Sequence, residues 1–167
     1  NIGIAEERAI QKTLHSHFWA SGAGTNSVQK FEQEFASWTG SKFSIALANG
    51  TVALDLALKS LNIGIDDEVI VTSRSFISSV STVVNSGATP IFADVDLNSQ
   101  NITAESIKLL ITDKTKAIIC VHLAGWPCEM DDIMRLSKEF NLYVIEDCAQ
   151  AHGAKYKGRS VGTIGHI

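Results

Sequence analysis

After residue 40 the chain alternates short apolar runs with stretches of helical periodicity, and this alternation constrains its fold more than any other feature. Phe43–Leu47 reads as a strand, and Val52 to Leu61 as a helix with Leu54, Leu58 and Leu61 on one face. Glu68–Thr72 is a second strand, followed by a helix from about Phe76 to Asn85. Gly87 breaks the pattern, and Thr89–Ala93 is a third strand. Thr103 is a good N-cap for a helix running to about Leu110. Lys116–Val121 is strand-like, Glu129 to Phe140 helical, and Leu142–Glu146 strand-like again. Ala154 to Gly162 reads as a small hairpin turning at Lys157-Gly158. Upstream, Ile4 to His15 and Val28 to Trp38 have the spacing of amphipathic helices outside the sheet. Strands and helices of these lengths in alternation mean βαβ units with right-handed crossovers. The expected fold class is therefore α/β, a mostly parallel sheet flanked by helices in one domain without internal repeats.

In such sheets ligands sit beyond the carboxyl ends of the strands, where loops enter helix N-termini. That rule selects Ala48–Thr51, Ser73–Phe76, His122–Gly125 and Asp147–Gln150. In the first, Gly50 lets an anion approach free backbone N–H groups and Thr51 adds a hydroxyl, so a phosphate site is reasonable. An ordinary Asn-Gly turn with Thr51 as the helix cap fits the same residues. Phe76 could stack on a flat ligand or open the core of its helix. Asp147, at the end of a buried strand, needs a cationic or donor-rich partner. Gln150, three residues on, could reach the same ligand through its amide. His152 could orient Asp147 through a hydrogen bond, and His122 could form a wall of the site. A capping Asp with surface Gln and His reads equally well from these residues alone.

Composition removes other classes. The net charge is -4, and the 14 Lys and Arg are scattered rather than clustered, so no nucleic-acid partner is expected. No apolar run reaches the roughly 18 residues needed to cross a bilayer, and Asn1 to Ile10 lacks a signal peptide's apolar centre. Cys120, Cys128 and Cys148 read as reduced buried thiols, which points to a cytoplasmic protein. The spacing Cys120-x-His122 with Cys128 lacks a close Cys-x-x-Cys pair, and no metal site is expected. Gly22-x-Gly24 follows no strand and lacks a third glycine, so it carries no dinucleotide reading. Signatures of serine hydrolases, P-loop proteins and zinc proteases are missing from the sequence.

Taken in order, the segments resemble the DegT/DnrJ/EryC1/StrS sugar aminotransferases, pyridoxal-phosphate (PLP) enzymes of the aspartate-aminotransferase fold. The matching stretches are Ser21-Gly22 with Phe31, Glu32 and Phe35, then residues 48–58, 67–71, 87–96, 115–119 and 121–125. Val144-Ile-Glu-Asp-Cys-Ala-Gln-Ala-His-Gly-Ala154, with its Asp and Gln three apart, is the most specific, and it runs into Tyr156–Gly162.

The resemblance implies that Gly50 and Thr51 hold the PLP phosphate and that Phe76 stacks on the pyridine ring. It implies that Asp147 is the catalytic residue paired with the ring nitrogen, and that Gln150 donates to the 3-hydroxyl oxygen. It also implies amino transfer from a donor such as glutamate to a nucleotide-linked keto sugar, in amino-sugar or polysaccharide biosynthesis, by a homodimer. The family's Schiff-base lysine is expected downstream of Ile167. Residues 1–167 are accordingly expected to be the N-terminal portion of the PLP-binding large domain, without the rest of that domain or the small domain, and inactive alone. Two alternatives stay open: a sugar dehydratase of the same family with histidine at the lysine position, and a noncatalytic binding module that kept the fold.

Overall fold

The computed structural model describes residues 2–17, 19 and 27–167, so Ser21-Gly22 and Gly22-x-Gly24 lie outside the described residues. The chain divides into two compact units, Asn1–Ala46 and Leu47–Ile167. The first contains α1 (Ile4–His15) and α2 (Ser27–Thr39). Glu6 accepts the Gly3 N–H at 2.8 Å and so satisfies one orphan donor at the start of α1. Along α2, Phe31, Phe35 and Trp38 stack at helical spacing, with ring centroids 5.7 and 5.5 Å apart.

The second unit holds α3 (Gly50–Ser60), β1 (Glu68–Thr72), α4 (Ser78–Asn85), β2 (Thr89–Ala93), α5 (Ala104–Lys108), β3 (Thr115–Val121), α6 (Met130–Phe140) and β4 (Tyr143–Asp147). It closes with a two-stranded hairpin, β5 (Lys155–Tyr156) and β6 (Arg159–Ser160). The hairpin turns at Lys157 and Gly158, both with positive φ, as a tight two-residue connection requires.

The four main strands form one parallel sheet in the order β2-β1-β3-β4. From β1 the chain moves to one side to make β2, then crosses back over β1 to make β3. The crevice between the carboxyl ends of β1 and β3 is thus the topological switch point, the usual place for a ligand in such sheets.

Strand alternation divides the core in two. Val69, Val71, Ala117, Ile119, Val121 and Ile145 face α3 and α4, packing on Leu54, Leu58 and Val83. Ile70, Ile118, Cys120 and Val144 face the other way, onto α5, α6 and the hairpin, through Ile107, Ile133, Leu136 and Tyr156. Both faces of every central strand are buried, which is why the strands read as continuous apolar runs.

One expected strand is absent. Phe43–Leu47 pairs with no neighbour among the described residues; the Ala46 N–H goes to Glu32 Oε1 at 2.8 Å, and Ile45 is 71% exposed. A strand exists only through its ladder partner, and β-propensity alone cannot supply one. The outer edge of β4 is occupied by the chain's last residues: the Ile167 N–H reaches Val144 O, and Ile167 O accepts the Glu146 N–H. A residue bonding to both sides of residue 145 in this way makes the pattern of a parallel pair.

Candidate functional site

α3 descends to feed β1, so its N-terminus lies at the carboxyl end of the sheet. Asn49, not Thr51, caps it: Asn49 is extended, and its side chain accepts the Val52 N–H at 3.0 Å. The first helical bond runs from the Ala53 N–H to Asn49 O. The N–H groups of Gly50 and Thr51 are left without a partner among the described residues, aimed out of a helix start. A Cβ built on Gly50 would meet nothing within 4 Å. The fold itself therefore does not require glycine there, and the space above the two donors is open. An anion such as a phosphate fits this cradle by charge and by room.

Asp147 ends β4 on the α3/α4 side, two residues beyond Ile145 of that core. Its carboxylate accepts the Ala149 N–H at 3.1 Å through Oδ1 and lies 3.4 Å from Ser79 Oγ through Oδ2. Asp147 and Thr51 thus share one face and one end of the sheet, the condition a single ligand touching both must meet. Phe76 lies in the loop between β1 and α4 and is 69% exposed, so it is a free aromatic face and not the first core residue of α4. Gln150 Oε1 accepts the Ala124 N–H at 2.7 Å. That bond fixes the amide orientation, because a backbone N–H needs the oxygen, and leaves Nε2 as a donor with no partner among the described residues. His152 lies exposed on the turn after Ala151.

His122 departs from its expected place. It is fully buried on the opposite face of the sheet and lines no wall beside Asp147. Its Nδ1 accepts the Cys128 N–H at 3.0 Å, which assigns the proton to Nε2, 3.0 Å from Glu146 Oε2. Strand alternation explains the reversal, since His122 follows Cys120 and Glu146 follows Val144, both on the α5/α6 side.

Glu146, rather than Asp147, is the deeply buried acid of this strand end. Besides His122, it accepts the N–H groups of Gly162 (2.9 Å), Ile164 (2.7 Å) and Gly165 (2.5 Å). Burial alone would raise the Glu146 pKa, but the His122 bond and the three backbone donors outweigh it and bring it below the ordinary carboxylate value. His122, Glu146 and Cys148 place potential metal-ligand atoms within 4.8 Å of one another. Both ring nitrogens of His122 and both oxygens of Glu146 are already engaged, so a cation would have to break the anchor of the 162–165 segment.

Two residues that sequence reasoning missed hold the loops in place. Asn101, 3% exposed, accepts the Leu123 N–H at 3.2 Å and donates to Trp126 O at 2.9 Å, pinning the turn that carries Ala124. Ser79 sits against Asp147. Neither residue has a local pattern that announces it; both are found only through contacts between distant segments.

Known proteins share this fold. A solved aminotransferase from Psychrobacter cryohalolentis is 58% identical and superposes with a TM-score of 0.94, over 99% of this chain and 42% of its own. A solved GDP-4-keto-6-deoxymannose-3-dehydratase, captured with PLP and glutamate, is 30% identical with a TM-score of 0.90, over 99% of this chain and 44% of its own. The fold is thus that of the PLP-dependent aminotransferases, represented here in part. The model of the DegT/DnrJ/EryC1/StrS aminotransferase family matches residues 1–167, and the chain belongs to that family, whose cofactor is PLP. GDP-perosamine synthase of Escherichia coli O157:H7 is 50% identical over 162 residues, 97% of this chain and 44% of the relative. The chain spans less than half the length of these relatives. Among the described residues no helix is long and apolar enough to cross a membrane.

Proposed function

We propose that residues 1–167 are the N-terminal portion of the PLP-binding large domain of an aminotransferase that aminates a nucleotide-linked keto sugar. The observation that carries this is the placement of Asp147 and the open Gly50–Thr51 donors on one face at one end of the sheet. In this reading the two N–H groups and the Thr51 hydroxyl take the phosphate, with the positive end of α3 behind them. Asp147 faces the ring nitrogen and holds its proton. Phe76 covers the ring, and Gln150 Nε2 donates to the 3-hydroxyl oxygen while Ala124 holds its other end. His152 is assigned to orienting Asp147. Bound there, PLP supplies the electron sink that lets an amino group move between carbon skeletons.

The amino donor is assigned as glutamate, and the complete protein as a cytoplasmic homodimer acting in amino-sugar or surface-polysaccharide biosynthesis. In this reading, as the family resemblance implies, the lysine that carries the cofactor lies downstream of Ile167. Lys157, held by Asp131 at 2.5 Å, and Lys138, on α6, are not assigned that role. Residues 1–167 alone are therefore expected to bind PLP weakly and to transfer no amino group.

A dehydratase is the second reading, favoured by the 30% identical relative of that activity. Incubating the complete protein with PLP, glutamate and a panel of nucleotide-linked keto sugars separates the two. Aminated sugar supports the first reading, and deoxygenated sugar the second. If Asp147→Ala leaves PLP affinity unchanged in the complete protein, a noncatalytic module is the better account.

A further inference from the structure

Ser79 is fully buried on the first turn of α4, and it contacts three parts of the site at once. Its Oγ lies 2.7 Å from Ser75 Oγ and 3.4 Å from Asp147 Oδ2, and its N–H donates to Phe76 O at 3.1 Å. An ionised carboxylate can only accept, so a bond to Asp147 makes Ser79 the donor there and the acceptor from Ser75. The hydroxyls then point one way, Ser75 to Ser79 to Asp147. The Ala149 N–H holds the other carboxylate oxygen. At 3.4 Å the last link is long, with room to shorten once the carboxylate takes up a cationic partner.

Resting on the PLP reading above, we propose that Ser79 is a positioning residue: with Ser75, it fixes the Asp147 carboxylate and ties it to the loop bearing Phe76. The acid opposite the ring nitrogen and the aromatic over the ring are then set by one buried hydroxyl instead of by two independent loops. Sequence distance hides the link, since 68 residues separate Ser79 from Asp147.

The test uses the complete protein and two cofactors, PLP and 1-deaza-PLP, in which carbon replaces the ring nitrogen. Dissociation constants are measured by absorbance titration, with thermal unfolding of each apo protein as a control for folding. Ser79→Ala should weaken PLP by about three- to tenfold and 1-deaza-PLP by less than about twofold, the size of one hydrogen bond expressed only when Asp147 has a ring nitrogen to meet. Ser79→Thr, which keeps the hydroxyl, should restore most of the difference. Ser75→Ala, at a less buried position, should show the same selectivity at a smaller size, and it carries the test if Ser79→Ala does not fold.

Equal losses for both cofactors, or none, would overturn the proposal. Asp147→Ala separates this failure from that of the underlying reading. If it does not distinguish the two cofactors, the site assignment itself is wrong. If it does and the serine variants do not, only the positioning role falls.

Discussion

Glu146 and Asp147 are adjacent acids at the end of one strand, and they sit in opposite environments. Glu146 points into the α5/α6 side, where His122 and three backbone N–H groups satisfy its carboxylate. Asp147 points to the α3/α4 side, half-buried, at the same end of the sheet as helix-start donors and an amide Nε2 that have no partner among the described residues. A saturated network is a structural device, since each of its lone pairs is used in closing the fold. Open donors on the same face and at the same sheet end as a partly exposed acid are what a ligand can complete. Within two residues the chain separates holding itself together from holding something else.

The strongest way to break this comparison is Glu146→Ala. Removing the carboxylate strands buried His122 Nε2, the buried Ile164 N–H and the part-buried N–H groups of Gly162 and Gly165, so a loss of about 3–5 kcal/mol is expected, as for other broken buried pairs. Urea unfolding of the complete protein measures it. A loss below about 1 kcal/mol would mean that the 162–165 segment is not anchored by Glu146. Asp147→Ala should cost far less, about 1 kcal/mol or under, because one N–H and one long hydroxyl contact are lost at a half-exposed position.

Acid provides a second test of the same acid. The folded pKa of Glu146 lies below its unfolded value, so the stabilisation is fully present above the unfolded pKa, near 4.5. It is lost as pH falls through the folded value. The urea midpoint of the wild type should therefore drop on going below pH 4.5, and Glu146→Gln should flatten that part of the drop while starting from a lower midpoint. Parallel profiles for the two proteins would remove Glu146 from the account.

On the open side the expected effects are on affinity. Asp147→Asn should weaken PLP binding by about tenfold, since a neutral amide gives up the charge-assisted bond to the ring nitrogen, and should leave unfolding within about 1 kcal/mol of wild type. Titration of the apo protein with PLP reads the first and urea unfolding the second. Stability falling while affinity holds would place Asp147 with Glu146 as a structural acid.

Most of this architecture was legible in the sequence, because period-2 and period-3.6 patterning is set by burial, and burial is local to each element. β1 and β2 fall on their expected residues, and β3, β4 and the helices of the second unit within about two residues of theirs. Phe43–Leu47 failed because pairing is not local: its apolar residues state a preference that only a neighbouring strand can satisfy. At the site, Asn49-Gly50-Thr51 and Asp147 were legible as a helix start and a strand end. The part played by Glu146 as the buried, saturated acid was not, since telling which of two adjacent residues faces which core requires strand phase to one residue. His122 went wrong for the same reason, and Ser79 stayed hidden because its partners are distant in sequence.

The smallest effect sharpens the comparison most, because it asks two glycines opposite questions. A Cβ on Gly165 would lie 2.9 Å from Val144 O and 3.2 Å from Glu146 Cγ, so alanine there must displace backbone at the closed site. A Cβ on Gly50 meets nothing, and the residue is the first of α3, where alanine is the better helix former. Gly50→Ala should therefore leave the apo protein unchanged or stabilise it by up to about 1 kcal/mol, through the smaller entropy of the unfolded chain. If the open space at Gly50 is where the phosphate sits, the same methyl group competes with it, and PLP affinity should fall by several-fold. Opposite signs for stability and affinity mark a glycine kept for a ligand. A loss of both would return Gly50 to the fold, and with it the claim that this helix start is open because something binds there.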